Sequence, residues 1–450
     1  MRFLAHLLIF IVLISCGAPG GGSRSSGLKP IVDPLTSTPD FLVRGMETCR
    51  QSRRDYVYEL AVFKDKEDSY ESRDFRHLLD GNLLRDPYGK SIRSVTYQSK
   101  YKFIINSMNG ETMMGITSYE PGKDLEICPD VLRFESNTFE AAGLSTAFYI
   151  DRMYQRVGRV LMTRIPPVSL EVGSEVINET LNVREGKLHL TPVYSVDNAM
   201  YIPEAQKIIF VPHGFDIRST DFKSNFWQVP IIPSHEYGHH IFNLLSPDSR
   251  TSRGVVSNCF GEKLEKSSLV EIDSSGRRVS VDTVRGALNE GFADLIAYYS
   301  LDRDERSTIF VPLLSFNRNV ESPNFNMGEP KNFQDKALSR FFSSGRSSRT
   351  ILDVDYQDIH IMGAIFAHRV YKLLDSSVIK EEARMEFLLD WVRDIRRLST
   401  SLSPQEYLDQ SMILMGEKYF EYFGPSHSSR HCQKVRELYP FSRGQFPDCR

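Results

Sequence analysis

The run His235-Glu236-Tyr237-Gly238-His239 holds the residue types that bind a metal ion and use it. Residues four apart on a helix share one face, so the two imidazoles can converge on a single ion. Glu236, between them, can point at a water held by that ion. Catalytic zinc takes three protein ligands and keeps one position for water. A third donor must therefore come from another element. The segment Gly286-Ala287-Leu288-Asn289-Glu290-Gly291-Phe292-Ala293-Asp294 is the obvious source. Glu290 and Asp294 again share one helix face. One carboxylate can bind the ion while the other accepts the N–H of a ligating imidazole and fixes its tautomer.

Read singly, each of these groups has a plainer explanation. The histidines could be ordinary helix residues, and the two acids a solvated helix face. His360 could be a satisfied core histidine and Asn198 a turn residue. Their order along the chain argues against four coincidences. The segment 286–294 resembles the Gly-x-x-Asn-Glu-x-x-x-Asp segment of the thermolysin-like metallopeptidases, the gluzincins. The resemblance implies Zn2+ held by His235, His239 and Glu290, with Asp294 as the hydrogen-bond partner behind a ligand. Asp355-Tyr356-Gln357-Asp358-Ile359-His360 resembles the family segment in which a histidine, oriented by an aspartate five residues earlier, stabilises the transition state. That implies His360 at the oxyanion with Asp355 behind it. Asn198-Ala199-Met200-Tyr201 resembles the family's Asn-Ala-aromatic edge strand, which hydrogen-bonds the substrate backbone.

The implied reaction is hydrolysis of internal bonds in a peptide or protein substrate. The ion would acidify a water and polarise the scissile carbonyl. Glu236 would take the proton and pass it to the leaving nitrogen. His360 would donate to the developing oxyanion. The resemblance runs from about 140 to 420 and leaves the first hundred or so mature residues uncovered. Two departures stand out. The path from His239 to Glu290 is longer than the family's typical gap, and the polar stretch 246–285 accounts for it. A loop of that length adds little closure entropy. The family's oxyanion tyrosine is also missing, since no tyrosine lies between Gly238 and Glu290. Nor is there a dense acidic cluster of the kind that binds structural calcium. Two other functions stay open: a non-catalytic lipoprotein that uses a metallopeptidase fold for binding or assembly, and an aminopeptidase of the same clan. The second lacks a Gly-x-Met-Glu-Asn motif for the substrate's free amine. His240 and His368 read as structural neighbours, not ligands.

These groups need elements to hold them. Tyr56–Phe63, Ser94–Tyr97 and Tyr101–Ile105 are rich in aromatic and β-branched residues and read as strands. Phe139 to about Met162 carries Leu144, Phe148, Ile150, Met153, Tyr154 and Val157 at helical spacing. Strand patterns recur at Val193-Tyr194 and Lys207–Val211. Pro233 and Ser234 can open the helix of the histidine motif, and Ser246 and Pro247 stop it. Within the polar segment, 268–272 and 278–281 read as a hairpin. After Asp294 the pattern turns helical, with Ile361–Leu374 and Glu381–Leu398 as candidates. Ser403-Pro404-Gln405-Glu406 supplies an N-cap, a proline at the first helical position and a capping-box glutamate.

The expected fold is α+β: a thermolysin-like two-lobed metallopeptidase, with a β-rich N-lobe, a helical C-lobe, the zinc helix between them and an extra N-terminal β-rich module. The expected units are a signal peptide (1–15), a lipidated cysteine and tether (16–30), the β-rich module (31–130), the peptidase N-lobe with its zinc helix (131–245), a polar insertion (246–285) and the helical C-lobe (286–450).

The chain has 450 residues, 41% hydrophobic and 25% charged, enough for a sizeable core in two or three domains. Its formal net charge of -3 and lack of a basic stripe exclude a nucleic-acid partner. The apolar run Phe3–Ile14 after Arg2 is too short to span a bilayer and reads as the core of a secretory signal. It ends in Leu13-Ile14-Ser15-Cys16, which resembles a bacterial lipobox. That implies lipidation of Cys16 and a membrane anchor made of several acyl chains. The glycine- and serine-rich stretch 17–27 would be a flexible tether of about 20 Å. Residue 17 is Gly rather than the inner-membrane retention Asp, so the expected location is the cell envelope at the outer membrane. Of six cysteines, five follow Cys16. In an oxidising compartment Cys432 could pair with Cys449 and Cys49 with Cys128.

Overall fold

The computed structural model describes residues 57–211 apart from short gaps, 226–247, 281–306 apart from 304, 359–423 apart from 376–378, and 429–438. It also describes the short pieces 14–15, 271–272, 278–279 and 320–321. The architecture is mixed α+β, with β-sheets in the N-terminal part and a mostly helical C-terminal part.

The strands that matter are β1 (Val57–Lys64), β2 (Glu67–Asp74), β3 (Ile92–Tyr97), β4 (Lys100–Met108), β5 (Glu111–Glu120), β6 (Val168–Val172), β7 (Glu175–Arg184), β8 (Lys187–Ser195), β9 (Asn198–Ile202) and β10 (Lys207–Val211). β1 and β2 form a hairpin of their own. A six-stranded sheet runs Ile14–Ser15, β9, β10, β6, β3, Lys123–Asp124. Its centre is parallel, β6 lying between β10 and β3, while β9 returns antiparallel to β10 with Asn198 opposite Val211. Among the described residues, the outer edge of β9 pairs with Ile14–Ser15. A four-stranded sheet runs β8, β7, β4, β5.

The two sheets share continuous strands. β3 runs on into β4 and β6 into β7, and both pairs are parallel neighbours. They leave one sheet for the other side by side, at Gln98 (φ 60°) and Gly173 (φ 64°). Glycine takes this left-handed conformation freely, whereas Gln98 spends about 1–2 kcal/mol on it. A buried polar cluster fills the corner. Glu171 accepts from Ser99 Oγ (2.6 Å), Tyr101 OH (2.5 Å), Tyr119 OH (2.8 Å) and Lys207 Nζ (2.5 Å). Both carboxylate oxygens are thus met by donors, the condition under which a buried charge is tolerated. Strands from either side of position 130 pair in both sheets, so the expected module boundary at 130 runs through the sheets.

Seven helices are described: α1 (Phe139–Leu161), α2 (Ile231–Leu245), α3 (Val281–Ser300), α4 (Ile359–Leu374), α5 (Glu381–Ile395), α6 (Pro404–Phe423) and α7 (Ser429–Leu438). Thr138 caps α1 by accepting from the amide of Ala141 at 3.3 Å. Of the expected stripe, Leu144, Ile150, Met153 and Val157 lie in the main core, while Phe148 and Tyr154 are partly buried and pack against it. That core is continuous from β3, β6 and β10 through α1–α6. α2 begins at Ile231, two residues before Pro233. A proline in the first turn lacks only an N–H that would have no helical partner there. Ser403 and Glu406 form the expected capping box at α6: the amide of Glu406 donates to Ser403 Oγ and the amide of Ser403 to Glu406 Oε2.

Two expectations change. Of the hairpin in the polar segment, Glu271–Ile272 pairs with Arg278–Val279, and residues 268–270 and 280 lie outside the described residues. Val281 opens α3 instead of closing a strand, and that helix starts well before Asp294. Its first turns bury Val281, Val284 and Leu288 at helical spacing while the surrounding residues are polar, which hides the helix among its neighbours. Cys128 and Cys432 are each disulfide-bonded. Cys49 and Cys449, their expected partners, lie outside the described residues, as does Cys16.

Candidate metal centre

Three helices meet at the histidine motif. α2 presents His235, Glu236 and His239, all buried. One ligand atom from each lies within 4.8 Å of the others. The two imidazole planes are nearly perpendicular, with ring centres 4.5 Å apart. α3 crosses behind them and presents Glu290 and Asp294, both buried. His360 enters from the first turn of α4.

The distances have the pattern of a ligand shell. His235 Nε2 lies 3.4 Å from Glu290 Oε2, and His239 Nε2 lies 3.6 Å from Glu290 Oε1. A tetrahedral ion with bonds of about 2.0–2.1 Å has ligand–ligand edges of about 3.3–3.4 Å. The separations, each to a different oxygen of the carboxylate, lie at or slightly above those edges and exceed the usual length of an N–H···O hydrogen bond. The outer ring nitrogens are also engaged. His235 Nδ1 meets Asp294 Oδ1 at 2.9 Å, and His239 Nδ1 meets Asn289 Oδ1 at 3.1 Å. Acceptors there put the hydrogen on Nδ1 and leave Nε2 as the lone-pair donor that a metal needs. The residues present therefore fit a divalent ion with nitrogen and oxygen ligands, of which zinc is the common example.

The close approach of the helices depends on small residues. A Cβ on Gly238 would stand 2.8 Å from Ala293 Cα, so α2 and α3 touch backbone to backbone beside the motif. A Cβ on Gly363 would stand 2.4 Å from Glu290 Cβ and 2.9 Å from the amide nitrogen of Gly291. α4 thus lies directly against the turn of α3 that carries Glu290. Gly291, whose Cβ would stand 2.6 Å from the carbonyl oxygen of Gly363, encodes one half of that contact, and Gly363 the other.

His360 Nε2 stands 3.6 Å from Glu290 Oε1 and its side chain is largely buried. Asn198 and Ala199 open β9, both buried, with Asn198 Oδ1 lacking a hydrogen-bond partner among the described residues. Asp355 lies outside the described residues. His240 and His368 are not in the cluster. His368 Nδ1 meets Val320 O at 2.7 Å as a satisfied core group. His240 is buried between Tyr201 OH and Pro166 O, each at 2.9 Å. Burial pushes its pKa down to about 4, so the ring is neutral near pH 7. Asn289 is the group whose role the residue types alone did not reveal. Its signal was its place beside Glu290, which sends its side chain to the neighbouring imidazole.

No protein-family model matches the chain, and no curated protein matches it either.

Proposed function

We propose that this protein is a zinc-dependent endopeptidase of the gluzincin type, its α+β body arranged as thermolysin-like lobes about α2. One observation carries the reading. The Nε2 atoms of His235 and His239 face the Glu290 carboxylate at ligand-edge spacing, while Asp294 and Asn289 hold their Nδ1 atoms.

In this reading His235, His239 and Glu290 hold Zn2+. When bound, the ion supplies Lewis acidity, lowering the pKa of a water and polarising the scissile carbonyl. Glu236, fully buried beside the two imidazoles, takes a proton from the attacking water on a carboxylate oxygen. The same oxygen returns it to the departing amine nitrogen. His360 donates its Nε2 hydrogen to the carbonyl oxygen as negative charge builds there, with Asp355 orienting the ring. β9 receives the peptide as an added strand, on the edge that cleavage before Cys16 would free of Ile14–Ser15. The buried Oδ1 of Asn198 supports this role, because a substrate N–H would supply the donor that a buried acceptor needs. We also infer that lipidation of Cys16 tethers the body to the outer membrane of the bacterial envelope. Among the described residues no helix is long and apolar enough to cross a membrane.

Glu236→Gln is the direct test. The variant should keep zinc at the parent's stoichiometry and lose hydrolysis of an internally quenched peptide by about 10²–10⁴-fold. A zinc-loaded variant that cleaves at the parent rate would refute the mechanism.

A further inference from the structure

His240 follows the second motif histidine, yet it faces away from the ion and toward the sheet. Its two ring nitrogens reach two different strand segments. Nε2 lies 2.9 Å from the carbonyl oxygen of Pro166, two residues before β6. Nδ1 lies 2.9 Å from the hydroxyl of Tyr201, in the middle of β9. A carbonyl can only accept, so Nε2 carries the hydrogen. In the neutral ring Nδ1 is then the acceptor, and the Tyr201 hydroxyl donates to it. The direction of both bonds is fixed by chemistry.

The alternation of β9 makes the arrangement specific. Ala199 and Tyr201 belong to the main core, on the side where α2 packs. Met200 and Ile202 belong to the small cluster with Tyr101, Val176, Ile209 and Val211 on the opposite face. Tyr201 is therefore a side chain through which β9 can be bonded to α2. The neighbours of His240 are rings: Tyr201 with its centre at 5.5 Å and Tyr237 at 5.4 Å. The bond to Tyr201 is buried and the bond to Pro166 partly buried, so water competes little for the first and more for the second.

We propose that His240 is a positioning residue, a two-armed tie that sets the height of the substrate-pairing strand β9 against the helix carrying Glu236. One arm anchors the ring to the centre of the sheet at Pro166, and the other holds the edge strand through Tyr201. The attacking water and the scissile carbonyl are held by different elements, α2 and β9. Small errors between such elements are expensive for rate, because bond-making geometry tolerates little displacement. This proposal rests on the peptidase reading.

The test compares Tyr201→Phe, His240→Leu and His240→Gln. Tyr201→Phe removes one arm and keeps the aromatic packing. His240→Leu removes both arms. Glutamine can donate through its amide nitrogen and accept through its oxygen, so His240→Gln can restore both. Zinc content is measured first and should equal the parent's in all three. Tyr201→Phe and His240→Leu should raise KM for a long peptide about tenfold, with a smaller effect on a dipeptide amide that pairs little with β9. The double variant should be no worse than His240→Leu alone, and His240→Gln should recover most of the loss. In the same proteins, amide hydrogen exchange of residues 199–202 should speed up about tenfold in Tyr201→Phe while exchange in α3 stays unchanged. Equal losses on long and short substrates, or fully additive effects of the two changes, would overturn the proposal. If the parent cleaves no peptide, the peptidase reading fails, and the exchange measurement still decides whether the tie holds β9. Unchanged exchange in Tyr201→Phe would reject the tie.

Discussion

Adding one methyl group at Gly363 should cost the protein its metal site while most of the fold survives. The Cβ of Gly363→Ala would stand 2.4 Å from Glu290 Cβ, 2.9 Å from Gly291 N and 3.0 Å from Ala287 O. Ordinary contact begins at 3.4 Å. Two of the three obstacles are backbone, so no rotamer change can relieve them. α3 and α4 must part by about 1 Å, an overpacking strain of about 1–3 kcal/mol. The strain falls on Glu290, whose oxygens stand 3.4 and 3.6 Å from the two Nε2 atoms. Metal–ligand distances hold to within about 0.2 Å, so, on the proposed reading, a shift of that size takes Glu290 out of reach of an ion held by the two histidines. Zinc affinity should fall by at least the order of ten- to a hundredfold that loss of an outer-shell partner causes. Gly286→Ala is the matched control on the same helix pair. Its Cβ would meet Ile359 at 3.5 and 3.6 Å, which is ordinary contact. It should bind zinc as the parent does and gain about 0.5–1 kcal/mol in helix propensity. The assay is zinc competition against a chromophoric chelator, with thermal melts of the metal-free proteins alongside. Equal zinc affinity for the two variants would refute the argument.

Asn289→Ala and Asp294→Ala should each weaken zinc binding on the order of ten- to a hundredfold, since each frees one ligating imidazole to rotate; equal affinity to the parent in the same competition titration would show that the Nδ1 contacts do not orient the ligands. The tether predicts that the full chain made in a bacterium incorporates labelled fatty acid and sediments with membranes, while Cys16→Ser does neither; an unlabelled parent would reject the anchor.

Much of the centre was legible from residue spacing because helices impose it. His235 and His239, or Glu290 and Asp294, need only a regular helix to face one way. The strand Lys207–Val211 and the capping box at Ser403 were legible for the same reason: alternation and capping are local. What stayed hidden depends on contacts between elements. The corner at Gln98 and Gly173 exists because two strands, far apart in sequence, turn together. The first turns of α3 were masked by polar neighbours, although Val281, Val284 and Leu288 were at helical spacing. Asn289 was visible as a residue but not as a partner, since its target lies on another helix. Gly363 carries no chemistry, and only the approach of Glu290 gives it meaning.

The corner between the sheets has a mechanical consequence for β9. The four-stranded sheet could in principle rock about residues 98–99 and 173–174, and β8 leads into β9, so such rocking would drag Asn198 with it. The carboxylate of Glu171 sits at that pivot with Lys207 and three hydroxyls closed around it. Separating Lys207 from Glu171 would leave a buried carboxylate without its cation, an unfavourable arrangement that opposes the rocking. On the peptidase reading, a peptide joining β9 would meet a strand braced at this corner and would pay chiefly the entropy of ordering itself.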